Sequence, residues 1–569
     1  MSQPDLVVRR GVVVDGTGAP ARVADVAVTD GRVQTVGVVD VTGRVEVDAA
    51  GAFVTPGFVD AHTHLDAQLW WDPSGSPAAG HGVTSVVIGN CGVTFAPVRR
   101  GDEAYLASMM ESVEDIPADA ILDGLPWSWE TYGDFLAALG ERSLGVNVSG
   151  LVGHCALRSY AMGDRSLDAD ATPDDLACMT DLVREALDRG AIGVSTSRTR
   201  LHRLPDGRPV PGTFASADEL HALAAVMRAH GSGVLGAVTR LHEETGETID
   251  DTLAEIDLLG DIALESGRPV TFNLTQGHVP GLHTRILERV HHHRERGARL
   301  WPQTTVRPIA WLYGICHRTP FDRAPAWRAL RDLPLADRLA TLRDATARQD
   351  LVDDSLRHPP RVDLSKVYAF PPGPARYDLS EEDSLAAHAR RRGVPPAAAF
   401  VDMALESDGA QVYTWPVFND DPQAVREMLA DPAVMLGLAD AGAHVGQIMD
   451  ASQPTHVLTH WVRDARLMPV EEAVRRLTSH PSGVFELADR GVLAPGAVAD
   501  INVIDLTELR LDVPRFVHDG PNGAGRFVQD AHGYRWTFVG GVPVVADGVP
   551  TGAAPGQVVR ASSASGTSR

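Results

Sequence analysis

Residues 54–64 read VTPGFVDAHTH, so that an apolar run meets a Pro-Gly turn and a second apolar run then delivers His62 and His64. Residues i and i+2 of a strand point to the same side, which lets both imidazoles reach one ion. Imidazole suits zinc and similar divalent metals. A lone H-x-H pair also occurs by chance, so the prediction of a metal site depends on the surrounding sequence.

Short apolar runs alternate with amphipathic stretches from residue 58 onward. This alternation is typical of a parallel sheet covered on both faces, and the number of repeats favours a (β/α)₈ barrel, an α/β fold. His62 and His64 would then end the first barrel strand, on the face where barrel enzymes do their chemistry. The other apolar runs are Val83–Ile88, Leu144–Val148, Ile192–Ser195, Val234–Val238, Pro269–Leu274 and Val434–Leu438.

Both ends of the chain are rich in β-branched residues and turn signals. We therefore expect residues 1–57 and 484–560 to form one composite β-sandwich domain, with the barrel at 58–483. Residues 301–380 are irregular and rich in Pro, Arg and Trp, which predicts an insertion or lid. The small polar residues 561–569 predict a disordered tail.

The net charge and the cysteine content of the chain argue against some classes of partner and cellular location. The 569 residues carry a formal net charge of −24, which argues against nucleic acid or anionic membranes as partners and favours a small-molecule substrate. The four cysteines form no C-x-x-C pair, and no signal peptide or membrane span is evident, so we expect a cytoplasmic protein. The sequence leaves a homo-oligomer open.

Several segments together resemble a known family. Residues 56–66 (PGFVDAHTHLD) resemble the first-strand signature of the amidohydrolase superfamily. Residues 82–92 (GVTSVVIGNCG), 151–158 (LVGHCALR) and 489–496 (DRGVLAPG) resemble segments of the D-aminoacylases, the N-acyl-D-amino-acid deacylases. The resemblance extends from residue 5 to about residue 560. It implies a TIM barrel with a small β-sandwich from both chain ends, in agreement with the strand pattern.

The resemblance also implies functional residues. Cys91 matches a metal-binding cysteine, although a buried free cysteine is the alternative. Asp440 matches the aspartate that binds metal and transfers the proton of the attacking water, although a capping aspartate is the alternative. His62, His64, Cys91 and Asp440 could form one site. Because a catalytic zinc commonly keeps three protein ligands, either Cys91 or Asp440 could instead lie just outside the ligand set.

Other family motifs are missing. The H-x-R segment is Val238-Thr239-Arg240 here, the S-H-H-K segment ends in Gln276, and the late H-P-R segment is absent. Two metal histidines and two anchors for a substrate carboxylate are thereby lost. We expect Arg240, Gln276 and His444 to contact substrate, and His278 is a candidate for replacing a lost ligand.

The predicted function is hydrolysis of a C–N bond in an amide or cyclic amide by metal-activated water, with about one divalent metal, zinc first, per chain. Two alternatives stay open. The same fold could act on an ester, a ring or a decarboxylation substrate, or the chain could be a metal-free binding protein.

Overall fold

A computed structural model describes residues 3–167, 169–240 and 247–560, and the predicted tail at 561–569 lies outside the described residues. Eight parallel strands lie side by side in chain order, from the first strand to the eighth. They are Phe58–Asp60, Val83–Ile88, Asn147–Gly153, Gly193–Ser197, Val234–Val238, Val270–Asn273, Leu300–Thr304 and Met435–Leu436. A parallel bridge between Thr63 and Ala441 joins the segments that follow the first and eighth strands. The predicted (β/α)₈ barrel is thus confirmed.

The Pro-Gly turn before the first barrel strand depends on glycine. A Cβ atom on Gly57 would lie 2.1 Å from Oγ1 of Thr84, which is far inside van der Waals contact. Only glycine therefore lets the backbone pass this close to the second strand. The turn connects the terminal β domain directly to the strand that carries His62 and His64.

Helices cover the outside of the barrel, and side-chain caps fix where several of them begin. Thr172 forms a capping box with Asp175, and Thr248 forms one with Asp251. Each cap satisfies backbone N–H groups that have no partner within the helix. The helices between barrel strands are Glu103–Glu114, Ala118–Gly124, Tyr132–Gly140, His154–Met162, Pro173–Asp188, Ala217–His230, Ile249–Ser266, Leu282–Glu295 and Pro422–Ala430. The segments Gln453–His456, Val457–Asp464 (a π-helix), Val470–Leu477 and Ser479–Val484 follow the eighth strand.

Strands from both chain ends form one nine-stranded sheet, which confirms the predicted β domain. The strand Phe53–Pro56 pairs antiparallel with Ile501–Ile504, and this pairing joins the N-terminal half to the C-terminal half. Val54, Ile501 and Phe538 are fully buried and belong to the hydrophobic core of this domain. The remaining strands are Leu6–Val13, Arg22–Thr29, Arg32–Gly37, Val45–Asp48, Tyr534–Val539, Val542–Ala546 and Val549–Pro550. Two short ribbons pair Arg510–Leu511 with Ala531–His532 and Arg515–His518 with Gly525–Val528.

A separate layer is inserted between the seventh and eighth barrel strands. Its sheet pairs Ile309–Tyr313 and Tyr368–Ala369 with Tyr413–Phe418. Five helices pack on this sheet around buried Trp327: Pro325–Arg331, Leu335–Arg343, Ala345–Arg357, Leu385–Arg392 and Pro396–Glu406. Two bounds of the predicted 301–380 lid therefore need correction. Residues 301–304 belong to the seventh barrel strand, and the inserted layer continues to Phe418.

The inserted layer touches the mouth of the barrel. The backbone N–H of Leu312 donates to the carbonyl of Gln447, at 2.7 Å, in the loop that carries His444. Among the described helices, none combines the length and the apolar character that a membrane crossing requires.

A buried histidine joins the barrel to the β domain and predicts acid sensitivity. His81 is fully buried, and its ring nitrogens bond the Thr455 hydroxyl at 2.9 Å and the Gln529 carbonyl at 3.0 Å. Burial lowers its pKa to about 3. The unfolded chain binds the proton near pH 6.5 and the folded chain does not, so stability contributed by neutral His81 falls as pH drops below about 6.5.

We expect the free energy of unfolding to fall by about 2 kcal/mol between about pH 6.5 and about pH 5 because of His81 alone, since its imidazole takes up a proton when the chain unfolds. Glutamine can replace both hydrogen bonds without titrating. The midpoint of urea unfolding, measured at both pH values, should therefore fall less in His81→Gln than in the wild type. Equal losses in the two proteins would show that His81 takes up no proton on unfolding.

Candidate metal centre

The seam that closes the barrel brings the first and last catalytic segments together. The N–H of Asp440 donates to the His62 carbonyl at 3.1 Å, and the N–H of His64 donates to the Ala441 carbonyl at 2.8 Å. The chain after the eighth strand thus runs beside the H-x-H segment. As a result, His62 and Asp440, which are almost 380 positions apart in the sequence, lie at the same end of the barrel.

Four candidate ligands converge at this seam. Oδ1 of Asp440 lies 3.2 Å from Nε2 of His62 and 3.8 Å from Nε2 of His64. Sγ of Cys91, in the turn after the second strand, lies 3.3 Å from Nε2 of His62. The ligand atoms of His62, His64 and Cys91 lie within 4.8 Å of one another, an arrangement that can hold a metal ion. The structure therefore brings together all four residues predicted as metal ligands.

The backbone around this cluster adopts uncommon conformations. Cys91, Leu438, Asp440 and His444 all have left-handed φ angles, of 56°, 55°, 46° and 47°. Such conformations are uncommon for residues other than glycine, and strained backbone persists where the surrounding structure enforces it. Here they end the eighth strand at Leu436 and turn the Asp440 carboxylate toward the two histidines. The strain is thus concentrated in the segments that carry the candidate ligands.

The polar atoms at the cluster fit a bound cation. Both ring nitrogens of His64, Oδ1 of Asp440 and Oε1 of Glu114 are buried and form no hydrogen bond within the protein. Buried polar atoms rarely lack partners, and two imidazoles, a thiol and a carboxylate are the ligand types that zinc prefers. A divalent cation placed among them would satisfy several of these atoms together.

Burial sets the protonation of these groups. It lowers the pKa of His62 and of His64, which favours the neutral imidazole that binds metal. Burial also raises the pKa of the Cys91 thiol, and the nearby Glu114 and Asp440 carboxylates raise it further. A divalent cation reverses that effect, because a coordinating thiol is deprotonated. The Cys91 thiol therefore depends on a cation for its ligating form, whereas burial already favours the ligating form of the two imidazoles.

The sequence interpretation missed two groups that lie close to the candidate metal ligands His62 and His64. Oε1 of Gln303, on the seventh strand, lies 3.3 Å from Nδ1 of His62, while its amide nitrogen donates to Thr271 at 3.1 Å. Oε1 of Glu114 lies 3.5 Å from Nδ1 of His64. Each of the two candidate ligands thus has a different outer neighbour, an amide for His62 and a carboxyl group for His64. Neither neighbour belongs to a recognisable motif.

His202 is a third group that the sequence interpretation missed. Its Nδ1 lies 2.8 Å from the hydroxyl of Ser197, the last residue of the fourth strand. Its pKa is lowered to about 3, mainly by burial and also by the nearby His444 and His62. The only signal in the sequence was a histidine in a loop after a barrel strand, which is weak by itself.

The residues predicted to contact substrate lie in different places. Nε2 of His444 lies 3.6 Å from Oε2 of Glu114, beside the cluster. Arg240 instead lies 3.8 Å from the Glu247 carboxylate and donates to the Thr213 carbonyl at 3.4 Å. Oε1 of Gln276 accepts from the N–H of Asp421 at 3.0 Å, and His278 is exposed. The structure thus brings His444 to the candidate ligands and leaves Gln276 and His278 outside the group that could hold a metal.

Comparison with known proteins agrees with this arrangement. The model of the amidohydrolase family matches residues 45–545. The chain is 29% identical to a D-aminoacylase of Alcaligenes xylosoxydans over 562 residues, which cover 98% of each chain. Its structure is similar to that of the N-acyl-D-glutamate deacylase of Bordetella bronchiseptica complexed with zinc and a phosphonate inhibitor. The TM-score is 0.67 at 26% identity, over 98% of this chain and 100% of the other.

The structure is also similar to that of a D-aminoacylase with a binuclear metal centre, in which one metal activates and the second attenuates. The TM-score is 0.66 at 25% identity, over 98% of this chain and 100% of the other. The family match covers most of this chain, and the metal-dependent relatives share its whole length. The chain therefore belongs to the amidohydrolase family, as a metal-dependent hydrolase that acts on carbon–nitrogen bonds.

Proposed function

We propose that this enzyme hydrolyses the C–N bond of an amide or cyclic amide, with one zinc ion held by His62, His64, Cys91 and Asp440. The observation that carries the proposal is the convergence of these four donors, with buried atoms that have no hydrogen-bond partner, at the mouth of the barrel. Side chains at this end of a (β/α)₈ barrel carry out the chemistry in characterised enzymes of the fold.

Each side chain at the site has a separate role in the proposed reaction. A zinc ion held by these residues would supply a Lewis acid for the substrate carbonyl and would lower the pKa of a water molecule. Asp440 accepts a proton from the attacking water and returns it to the leaving nitrogen. His444, whose Nε2 lies 3.6 Å from Oε2 of Glu114, is the side chain that contacts the substrate. Gln303 holds the His62 ring through Nδ1, so that Nε2 faces the other donors.

The relatives support this substrate class. Two relatives from Alcaligenes xylosoxydans carry the names D-aminoacylase and N-acyl-D-aspartate deacylase, and both names describe the removal of an acyl group from nitrogen. At 28–29% identity they support the reaction class, while the substrate of this chain is our proposal. All four cysteines are free thiols, which suits the reducing cytoplasm that we propose as its location.

A substrate panel tests the reaction type. The zinc-loaded enzyme would be incubated with N-acyl-D- and N-acyl-L-amino acids, N-acyl amines, cyclic amides and matched esters, and products would be identified by mass spectrometry. We expect release of an amine and a carboxylic acid, or ring opening at nitrogen. Cleavage of esters alone, or loss of carbon dioxide, would replace C–N hydrolysis with one of the alternative reactions.

Metal content tests the site itself. We expect about one equivalent of divalent metal per chain, most of it zinc, because the clustered donors suffice for one site. His62→Ala/His64→Ala should lose this metal, since it removes both imidazole ligands. His278→Ala is the matched control, because that histidine is exposed and should leave the metal in place. Elemental analysis that finds full metal in the double variant would contradict the ligand assignment.

A further inference from the structure

Glu114 is a buried carboxyl group at the metal centre that the reaction proposed above does not use. It is the last residue of the helix Glu103–Glu114 and is only 1% exposed. Its Oε1 lies 3.5 Å from Nδ1 of His64, and its Oε2 lies 3.6 Å from Nε2 of His444. Oε1 forms no hydrogen bond within the protein. The carboxyl group therefore stands between two imidazoles, at distances slightly longer than those of hydrogen bonds.

The surrounding chain holds Glu114 in this place. The N–H of His444 donates to the Glu114 carbonyl, which fixes the His444 loop on the end of the helix. The next residue, Asp115, ends the helix in a left-handed conformation and accepts from Arg318 of the inserted layer at 2.9 Å. A main-chain contact and an ion pair thus position the Glu114 side chain independently of any metal.

The His64 ring is oriented to make use of this carboxyl group. Its Nε2 faces Oδ1 of Asp440 at 3.8 Å, while its Nδ1 faces Glu114. A histidine that binds metal through one nitrogen commonly donates its other N–H to a carboxylate, carbonyl or water, which fixes the tautomer and the ring orientation. Polar contacts at such sites are often loose without ligands and tighten when the site is complete.

We propose that Glu114 is a positioning residue of the metal centre, which accepts the Nδ1 proton of His64 and thereby directs Nε2 toward the metal. The inference rests on the proposed metal site and does not depend on the substrate. Gln303 does the same for His62 with a neutral amide, so the two metal histidines differ in the charge of their outer partner. The second carboxylate oxygen of Glu114 faces His444 and orients that ring as well.

The test measures metal affinity without substrate, by chelator competition. Glu114→Met keeps the length of the side chain but removes the acceptor, and we expect the zinc dissociation constant to rise about 10- to 100-fold. Glu114→Gln keeps an acceptor oxygen and should give an intermediate affinity. Glu111→Gln, one helical turn earlier and exposed, is the matched control and should bind zinc as the wild type does.

Thermal unfolding of the metal-free variants separates positioning from a merely structural role. A structural role would lower the midpoint of unfolding without changing zinc affinity in the folded protein, and that result would overturn the proposal. If Glu114→Met does not fold, the Gln variant decides, and wild-type affinity in it would overturn the proposal. A loss of affinity far beyond 100-fold would make Glu114 a ligand itself and would also overturn the positioning role. Since no turnover is measured, an error in the proposed reaction cannot produce any of these outcomes.

Discussion

Replacement of Asp440 by asparagine is expected to lower kcat by about 10²- to 10⁴-fold, with a smaller loss of bound metal. Hydrolysis needs a group that takes a proton from water and later gives one to the leaving nitrogen. Among the described carboxylates close to the two candidate metal histidines, Asp440 is the one whose oxygen faces Nε2 of both His62 and His64. Asparagine keeps the shape and one possible oxygen ligand but cannot accept the proton.

The fold should tolerate this change. Asp440 has a φ angle of 46°, a left-handed conformation in which asparagine and aspartate are both enriched. Its main-chain N–H still donates to His62 in the variant, because that bond does not involve the side chain. The seam that closes the barrel is therefore preserved. A loss of activity can then be attributed to the missing carboxylate and not to a disordered active site.

Steady-state kinetics with the best substrate of the panel would measure the effect, together with metal content and the midpoint of thermal unfolding. Asp547→Asn is the matched control, since Asp547 is exposed and has a φ angle of 49°. It should leave kcat unchanged. A near-wild-type kcat in Asp440→Asn would transfer the proton step to another group, and His444 would be the first to test.

The sequence predicted the parts of the site that lie in local motifs. His62 and His64 follow a recognisable apolar strand, and Asp440 follows another, and the resemblance of these segments to the amidohydrolase superfamily pointed to the three residues. Glu114 and Gln303 carry no such pattern. Glu114 lies on a helix that also carries the half-buried Glu103 and the exposed Glu111, and only the tertiary fold distinguishes it from them. Outer partners of metal ligands are determined by contacts between distant segments, which one sequence does not reveal.

The seventh barrel strand was not predicted from the sequence, and the eighth strand is shorter than the predicted Val434–Leu438. The seventh barrel strand includes Pro302, and proline within a run argues against a central strand because it has no N–H to donate. Residues 301–304 fall within the predicted lid because residues 301–380 as a whole are irregular and rich in Pro, Arg and Trp. In the structure Pro302 pairs in register with Phe272 of the sixth strand, which shows that a parallel ladder tolerates it here. The two-residue eighth strand is short because Leu438 already turns toward the metal centre.

Substrates with a free α-carboxylate are expected to be poor ones. N-Acetyl-D-phenylalanine and N-acetylphenethylamine share a skeleton and differ only in that carboxylate. We expect kcat/KM to be larger for the uncharged compound by about 30- to 5,000-fold, because a buried carboxylate without a partner costs on the order of 2–5 kcal/mol. Competition between the two compounds in one reaction, followed by mass spectrometry, would measure the ratio directly.

The structure gives a reason for this expectation at Gln276, which stands where the family resemblance implies a lysine, and at Arg240, the basic residue that we expect to contact substrate. Gln276 carries no charge, and its amide nitrogen, the end that could donate to a carboxylate, already donates to the Gly277 carbonyl at 2.6 Å and to the Asp420 carboxylate at 3.2 Å. Arg240 lies 3.8 Å from the Glu247 carboxylate, which already compensates part of its charge. A preference for N-acetyl-D-phenylalanine would contradict the prediction and would mean that a basic group still reaches the substrate. Arg240→Ala would then identify it: if Arg240 is the anchor, this variant should lose the preference for the acid and keep the activity on N-acetylphenethylamine, because only the acid carries a charge for the guanidinium to bind.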